Sequence, residues 1–255
     1  MKCLILAAGY ATRLYPLTKN FPKPLLQVGE KMILDWLVDD LIEHTNINEY
    51  VVISNHKFAI HFEKWKNDKR ILKENCKITI LDDGTDSNET RLGAVRDIQL
   101  AVQTLGIEED VLVMAGDNLL DFSLAGFVEF ARAKKHSCVM CHEEMDLKKQ
   151  QKTAIITVDQ DNQITSYEEK PVEPKGSLAV PPFYYYRNKD IKTIAKALED
   201  GCGCDAPGSF AAWLSGKVTM YAYQMLGNRY DIGDVESYKS VKEIFKKENI
   251  IDESD

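Results

Sequence analysis

A short stretch after the first apolar run, Gly9-Tyr10-Ala11-Thr12-Arg13-Leu14, combines small residues with a cation. A turn there exposes a row of backbone N–H groups at the carboxyl edge of a sheet, and such a row holds phosphate oxygens. Arg13 and Lys19 add positive charge beside it, and Lys23 sits between Pro22 and Pro24, whose rings restrict its backbone. Together these residues suit the binding of a polyphosphate. A solvated loop whose cations only aid solubility is the plainer alternative for any one of them. No Gly-Lys-Ser or Gly-Lys-Thr closes the loop and three spaced glycines are missing, so it is neither a P-loop nor a dinucleotide fingerprint.

An acidic residue stands at a second such position. Residues 110–115 read as a buried strand, and Gly116-Asp117-Asn118 follows it, where open α/β sheets bind ligands. Asp117 is therefore a candidate metal ligand, with a simple turn-forming role as the alternative.

These loops need a frame to position them. A strand at 2–6 and a helix at 33–44, with Ile33, Leu37 and Leu41 on one stripe, open the chain. Strands at 50–54, 77–81 and 110–115 then alternate with helices at 58–67, 93–105 and 124–134. That alternation predicts a Rossmann-like, doubly wound α/β sheet, mixed but mostly parallel. From about residue 136 the texture becomes β-rich, at 137–142, 154–158, 163–169 and 183–187, with a polar turn at 159–162. These strands predict antiparallel additions in the second half. Helices at 189–199 and 209–215, a strand at 217–224 and a helix at 235–247 complete the reading, and Asp234 is placed to cap the last of them. Without a repeat or linker, residues 1–255 read as one domain, with lobes at 1–135 and 136–250 and a frayed tail from about Asp252.

Forty acidic against thirty-two basic residues give a net charge of -8, which repels polyphosphate chains and argues against a nucleic-acid partner. No segment approaches a membrane span, and the first apolar run is too short for a signal peptide, so a cytoplasmic location is expected. Six cysteines then read as reduced thiols: Cys138 and Cys141 point to opposite faces of a strand, and Cys202 and Cys204 lack further ligands. The five histidines receive no role.

The run Leu6-Ala7-Ala8-Gly9-Tyr10-Ala11-Thr12-Arg13-Leu14-Tyr15-Pro16-Leu17-Thr18, with Pro22-Lys23-Pro24 after it, resembles the signature of the sugar-1-phosphate nucleotidyltransferases, also called nucleoside-diphosphate-sugar pyrophosphorylases. The one departure is Ala11, where glycine is usual; at positive φ an alanine costs about 1 kcal/mol more than glycine. Further along, Gly116-Asp117-Asn118 is similar to the family's metal-binding segment and Tyr230-Asp231-Ile232-Gly233-Asp234 to its Trp-x-Asp-x-Gly segment. Glu169-Lys170-Pro171 matches its Glu-Lys-Pro segment, and Leu92-Gly93-Ala94 stands where a Leu-Gly-Thr-Ala segment lines the base and sugar pocket. The matches run from residue 2 to about 238.

The resemblance implies a nucleotidyltransferase with Leu6, Ala8, Gly9, Tyr10, Ala11, Thr12, Arg13 and Gly93 at the nucleotide. Asp117, Glu169 and Lys170 would meet the acceptor, and Asp117 and Asp231 would hold Mg2+. It implies an in-line displacement at the α-phosphorus by the acceptor's phosphate, with Arg13 on the departing pyrophosphate, Lys23 near the α-phosphate and Lys170 on the acceptor phosphate. The expected partners are a nucleoside triphosphate and a sugar 1-phosphate, with homo-oligomerisation left open. A cytidylyltransferase for a non-sugar phosphate such as phosphocholine, and a non-catalytic regulatory homologue, are the alternatives. No second catalytic domain is expected after Lys247.

Overall fold

The computed structural model describes residues 1–68 and 76–251, with side chains to 246. Its strands, in chain order, are β1 (Lys2–Leu6), β2 (Gln27–Val28), β3 (Lys31–Met32), β4 (Glu49–Ser54), β5 (Lys77–Asp82), β6 (Val111–Ala115) and β7 (Asn118–Leu120). There follow β8 (Ser137–Glu143), β9 (Ala154–Val158), β10 (Ile164–Glu169), β11 (Leu178–Val180), β12 (Phe183–Tyr186), β13 (Met220–Gln224) and β14 (Arg229–Asp231). The helices are α1 (Ile33–His44), α2 (His56–Asp68), α3 (Ala94–Thr104), α4 (Ala125–Lys134), α5 (Leu147–Gln150), α6 (Asn188–Ile191), α7 (Ile194–Glu199), α8 (Gly208–Ser215) and α9 (Val235–Ile251).

Chain contacts define two compact units. The first comprises residues 1–4, 92–114 and 125–226. Its strands run in the order β10-β9-β11-β8-β12-β6-β1, with β13 on β8. Strands β12, β11 and β10 pair antiparallel with their neighbours, as the β-rich texture after residue 136 predicts, while β13 pairs parallel with β8. The predicted helix at 189–199 is broken: α6 ends at Ile191 and α7 starts at Ile194, and the two bury Ile191 and Ile194 respectively.

The second unit comprises residues 5–91, 115–124 and 227–255. Here the end of β1 is followed by β4 and β5, and β4 pairs parallel with β5. Alternating βα units with buried strands, such as Tyr50 to Ser54 in β4, make the parallel core expected of a doubly wound fold. Two small ladders, β2–β3 and β7–β14, stand apart from this sheet. A cluster of buried side chains joins them to the helices: Leu14, Leu26, Val28, Ile33, Leu119, Ile232, Tyr238, Val241 and Phe245. Asp234 caps α9 as predicted, its Oδ1 accepting the Ser237 N–H at 2.8 Å.

Among the described residues no helix is long and apolar enough to cross a membrane. Burial pushes the Cys138 and Cys141 thiols up to about 12, which leaves them protonated and inert.

Candidate active site

In the second unit the loop after β1 is held from both sides. The Ala7 N–H donates to Ile53 O at 2.9 Å, and the fully buried Asn55 donates through Nδ2 to Ala8 O at 2.9 Å. Asn55 Oδ1 meanwhile accepts the Phe58 N–H at 3.0 Å, so one side chain both fixes the loop and starts α2. The Tyr10 hydroxyl donates to Thr85 O at 2.9 Å. Ala11 takes the left-handed conformation, φ 45° and ψ 46°, with its carbonyl accepting Thr18 Oγ1 at 2.7 Å and the Leu14 N–H at 3.0 Å. Glycine adopts this conformation without strain; here the methyl packs against the buried cluster in partial compensation.

The next residues form a 3-10 turn over Thr12–Leu14, with Arg13 exposed and Leu14 buried in the cluster. A Cβ added at Gly233 would lie 3.9 Å from Arg13 Nη1, so the guanidinium reaches the turn between β14 and α9. There the Ser237 N–H and hydroxyl, with Arg13 adding to their effect, hold the Asp234 carboxyl below the usual carboxylate range.

Lys23 opens a second 3-10 turn, Lys23–Leu25, with Pro22 before it and Pro24 after it. Although only 7% exposed, it keeps its charge partnered: Nζ lies 2.7 Å from Asp117 Oδ2. Asp117 is brought there by Gly116, whose N–H donates to Leu6 O at 3.0 Å. A Cβ at Gly116 would stand 2.9 Å from the Ile5 side chain, so any larger residue would have to push this turn or Ile5 aside at the end of β1. From Asp117 a chain of polar contacts continues. Asn118 Nδ2 donates to Asp117 Oδ1 at 3.1 Å, Arg229 Nη1 donates to Asn118 Oδ1 at 2.6 Å, and Arg229 lies 3.9 Å from Asp231. In the β7–β14 ladder Asn118 is the direct partner of Asp231, which sets the two aspartates one residue apart in register.

Arg13, Lys23, Asp117 and Asp231 are therefore gathered in one unit, each within three residues of a member of the same apolar cluster. Leu14 follows Arg13, Leu119 follows Asp117, Ile232 follows Asp231, and Leu26 anchors the turn that begins at Lys23. Among the described residues no three His, Cys, Asp or Glu side chains form a metal cage. Two carboxylates at the end of one ladder, with no nitrogen or sulfur donors, fit a hard cation that keeps water and takes phosphate oxygens as its other ligands.

The remaining predicted residues belong to the first unit. Glu169 ends β10 and Lys170 follows it in the left-handed region at φ 49°, its N–H donating to Thr153 O at 3.1 Å. A non-glycine residue held there marks stored backbone strain of the kind that collects at binding sites. Burial pushes the Glu169 carboxyl above its ordinary range, with Lys170 pulling the other way. Gly93, at φ 92°, precedes α3, and a Cβ on it would meet Cys204 O at 2.5 Å. The first N–H groups of α3 are taken by the same segment: Ala94 donates to Asp205 O and Val95 to Cys204 O. The predicted nucleotide contact at Gly93 thus comes with a structural duty that the sequence did not disclose, because Cys204 lies 111 positions away.

A tightly held turn after the first strand of a Rossmann-like sheet, with the Lys23–Asp117 pair in the same unit, is the arrangement of a nucleotidyltransferase. The chain belongs to the nucleotidyl transferase family, which it matches over residues 2–248. It is 27% identical to the UTP–glucose-1-phosphate uridylyltransferase AglF of Haloferax volcanii over 73% of this chain and 72% of that protein. It is 31% identical to the bifunctional protein GlmU of Methanococcus aeolicus over 79% of this chain, which spans only 44% of that longer relative. A solved UDP-glucose pyrophosphorylase in complex with UDP-glucose shares the fold, with a TM-score of 0.82 over 97% of this chain and 98% of the other at 22% identity.

Proposed function

We propose that this protein transfers a nucleoside monophosphate from a nucleoside triphosphate to a sugar 1-phosphate, releasing pyrophosphate. The observation that carries the reading is the gathering of Arg13, Lys23, Asp117 and Asp231 beside the loop after β1. The names of the relatives, one a UTP–glucose-1-phosphate uridylyltransferase, support it.

The acceptor's phosphate is already ionised near neutral pH, so no base is required to create the nucleophile. Positioning and charge neutralisation carry the rate. Backbone N–H groups of the loop, Gly9 to Thr12, and the Arg13 guanidinium hold the β- and γ-phosphates that depart. Lys23 neutralises the α-phosphate region; its ammonium, held by Asp117, is oriented before substrate arrives. Lys170 meets the acceptor's phosphate and Glu169 its hydroxyl groups. Asp117 and Asp231 would hold Mg2+, which when bound supplies neutralisation of the phosphate charge.

The test is pyrophosphate release across five nucleoside triphosphates and several phosphorylated acceptors, starting with UTP and glucose 1-phosphate. Turnover with a hexose 1-phosphate is the expected result. Preference for phosphocholine over every sugar phosphate, or no turnover with any pair, overturns it.

A further inference from the structure

Within the first unit, α8 begins at Gly208, and the space where its side chain would stand is filled by the acceptor glutamate. A Cβ there would lie 2.2 Å from Glu169 Oε2, 3.2 Å from Glu169 Cδ and 3.3 Å from the Tyr167 hydroxyl. The first of these approaches is impossible for real atoms, so an added methyl must move something.

Several neighbours are fixed. Phe210, Ala211 and Leu214 anchor α8 and are essentially fully buried. The backbone beyond Glu169 is pinned by the Lys170 N–H bond to Thr153 O and by the strained Lys170 conformation. The Tyr167 hydroxyl is buried close to Tyr184 and Tyr186, whose rings stack with centroids 5.9 Å apart. What remains free to yield is the Glu169 side chain.

Backbone geometry supplies no reason for glycine at this position. Gly208 lies outside the left-handed region and occupies the first helical residue, a position whose backbone alanine adopts without strain. The reason lies in the carboxylate.

We propose that Gly208 is a positioning residue of the acceptor site, the absence of its side chain allowing Glu169 to seat its carboxylate against the start of α8 and present it to the acceptor's hydroxyl groups. The inference rests on the acceptor role given to Glu169 and Lys170 above. Burial of the Glu169 carboxyl fits a group held for a ligand rather than for solvent.

The experiment measures pyrophosphate release and melting temperature for the wild type, Gly208→Ala, Glu169→Asp and the double variant, with UTP and glucose 1-phosphate or the pair the wild type uses best. Gly208→Ala should raise the acceptor KM about tenfold, the scale of one misplaced hydrogen bond, with the nucleotide KM changed less than about twofold. Combined with Glu169→Asp, whose carboxylate is one methylene shorter, it should recover part of that loss, so the two effects are not additive. An unchanged acceptor KM, an equal rise in both KM values, or strict additivity overturns the proposal. So does a loss of folding that Glu169→Asp does not repair, because the helix would then be taking the strain. If the wild type releases no pyrophosphate with any acceptor, the proposed function falls and this inference with it; if it does and the Gly208 results fail, only this inference falls.

Discussion

The Lys23–Asp117 pair is asymmetric, and its asymmetry can be measured. Lys23 is 7% exposed whereas the Asp117 side chain is about a third exposed. Removing the aspartate strands a buried ammonium, while removing the lysine leaves a carboxylate that water can reach. Asp117→Ala should therefore lower stability by about 1–2 kcal/mol, a few degrees in melting temperature for a chain of this size, and Lys23→Met by less. Both should cut turnover at least about a hundredfold, the scale of losing a major electrostatic stabiliser. Equal melting temperatures for the two variants would show that the pair is solvated in practice. Glu169 gives a second test at this scale. Burial raises its carboxyl above the ordinary value of 4.5, so the folded chain binds the proton more tightly than the unfolded one. Its contribution to stability is thus fully present below pH 4.5 and is lost as pH rises through the elevated value. Melting of Glu169→Gln beside the wild type should show the difference, variant minus wild type, growing from pH 4 to pH 8; a constant difference would refute the shift. Residue types and local motifs made these candidates legible in the sequence. That Lys23 is paired with Asp117 was not, because 94 positions separate them and no local pattern links one to the other.

At the scale of elements, periodicity carried the reading where segments were long enough to have a period. The helix at 33–44 and the strands at 2–6 and 154–158 stand where alternation and the 3.6-residue stripe put them. The ladders β2–β3 and β7–β14 consist of strands of two or three residues, too short to show alternation, and went unseen. The second of them pairs Asp231 with Asn118, the neighbour of Asp117, so the sequence named both aspartates without showing that one ladder sets their register. Gly93 tests an element junction. Alanine there would need φ 92° and would press on Cys204 O, which together should cost roughly 2–4 kcal/mol. Gly93→Ala should melt several degrees lower than the wild type, and an unchanged melting temperature would mean that the 204–205 segment moves aside freely.

For the molecule as a whole, the frame of the site and the charge it presents are separable. Leu14, Leu26, Leu119 and Ile232 hold the loops together by burial, and none of that burial depends on a bound cation. A chain with net charge -8 has no general affinity for phosphate, so under the proposed function each phosphate oxygen must be met locally, by Arg13, Lys23, loop N–H groups or a divalent ion. Chelation should therefore abolish pyrophosphate release and leave the melting temperature nearly unchanged, and Mg2+ should restore turnover in full. Asp231 offers a graded version of the same test. Its side chain is 59% exposed, so Asp231→Ala should fold as well as the wild type. Under its proposed role it should nevertheless raise the Mg2+ concentration for half-maximal turnover by about tenfold or more, at least the scale seen for groups that only support a ligand. A Mg2+ titration curve that superposes on that of the wild type would remove Asp231 from the metal site and leave Asp117 to hold the ion with phosphate and water alone.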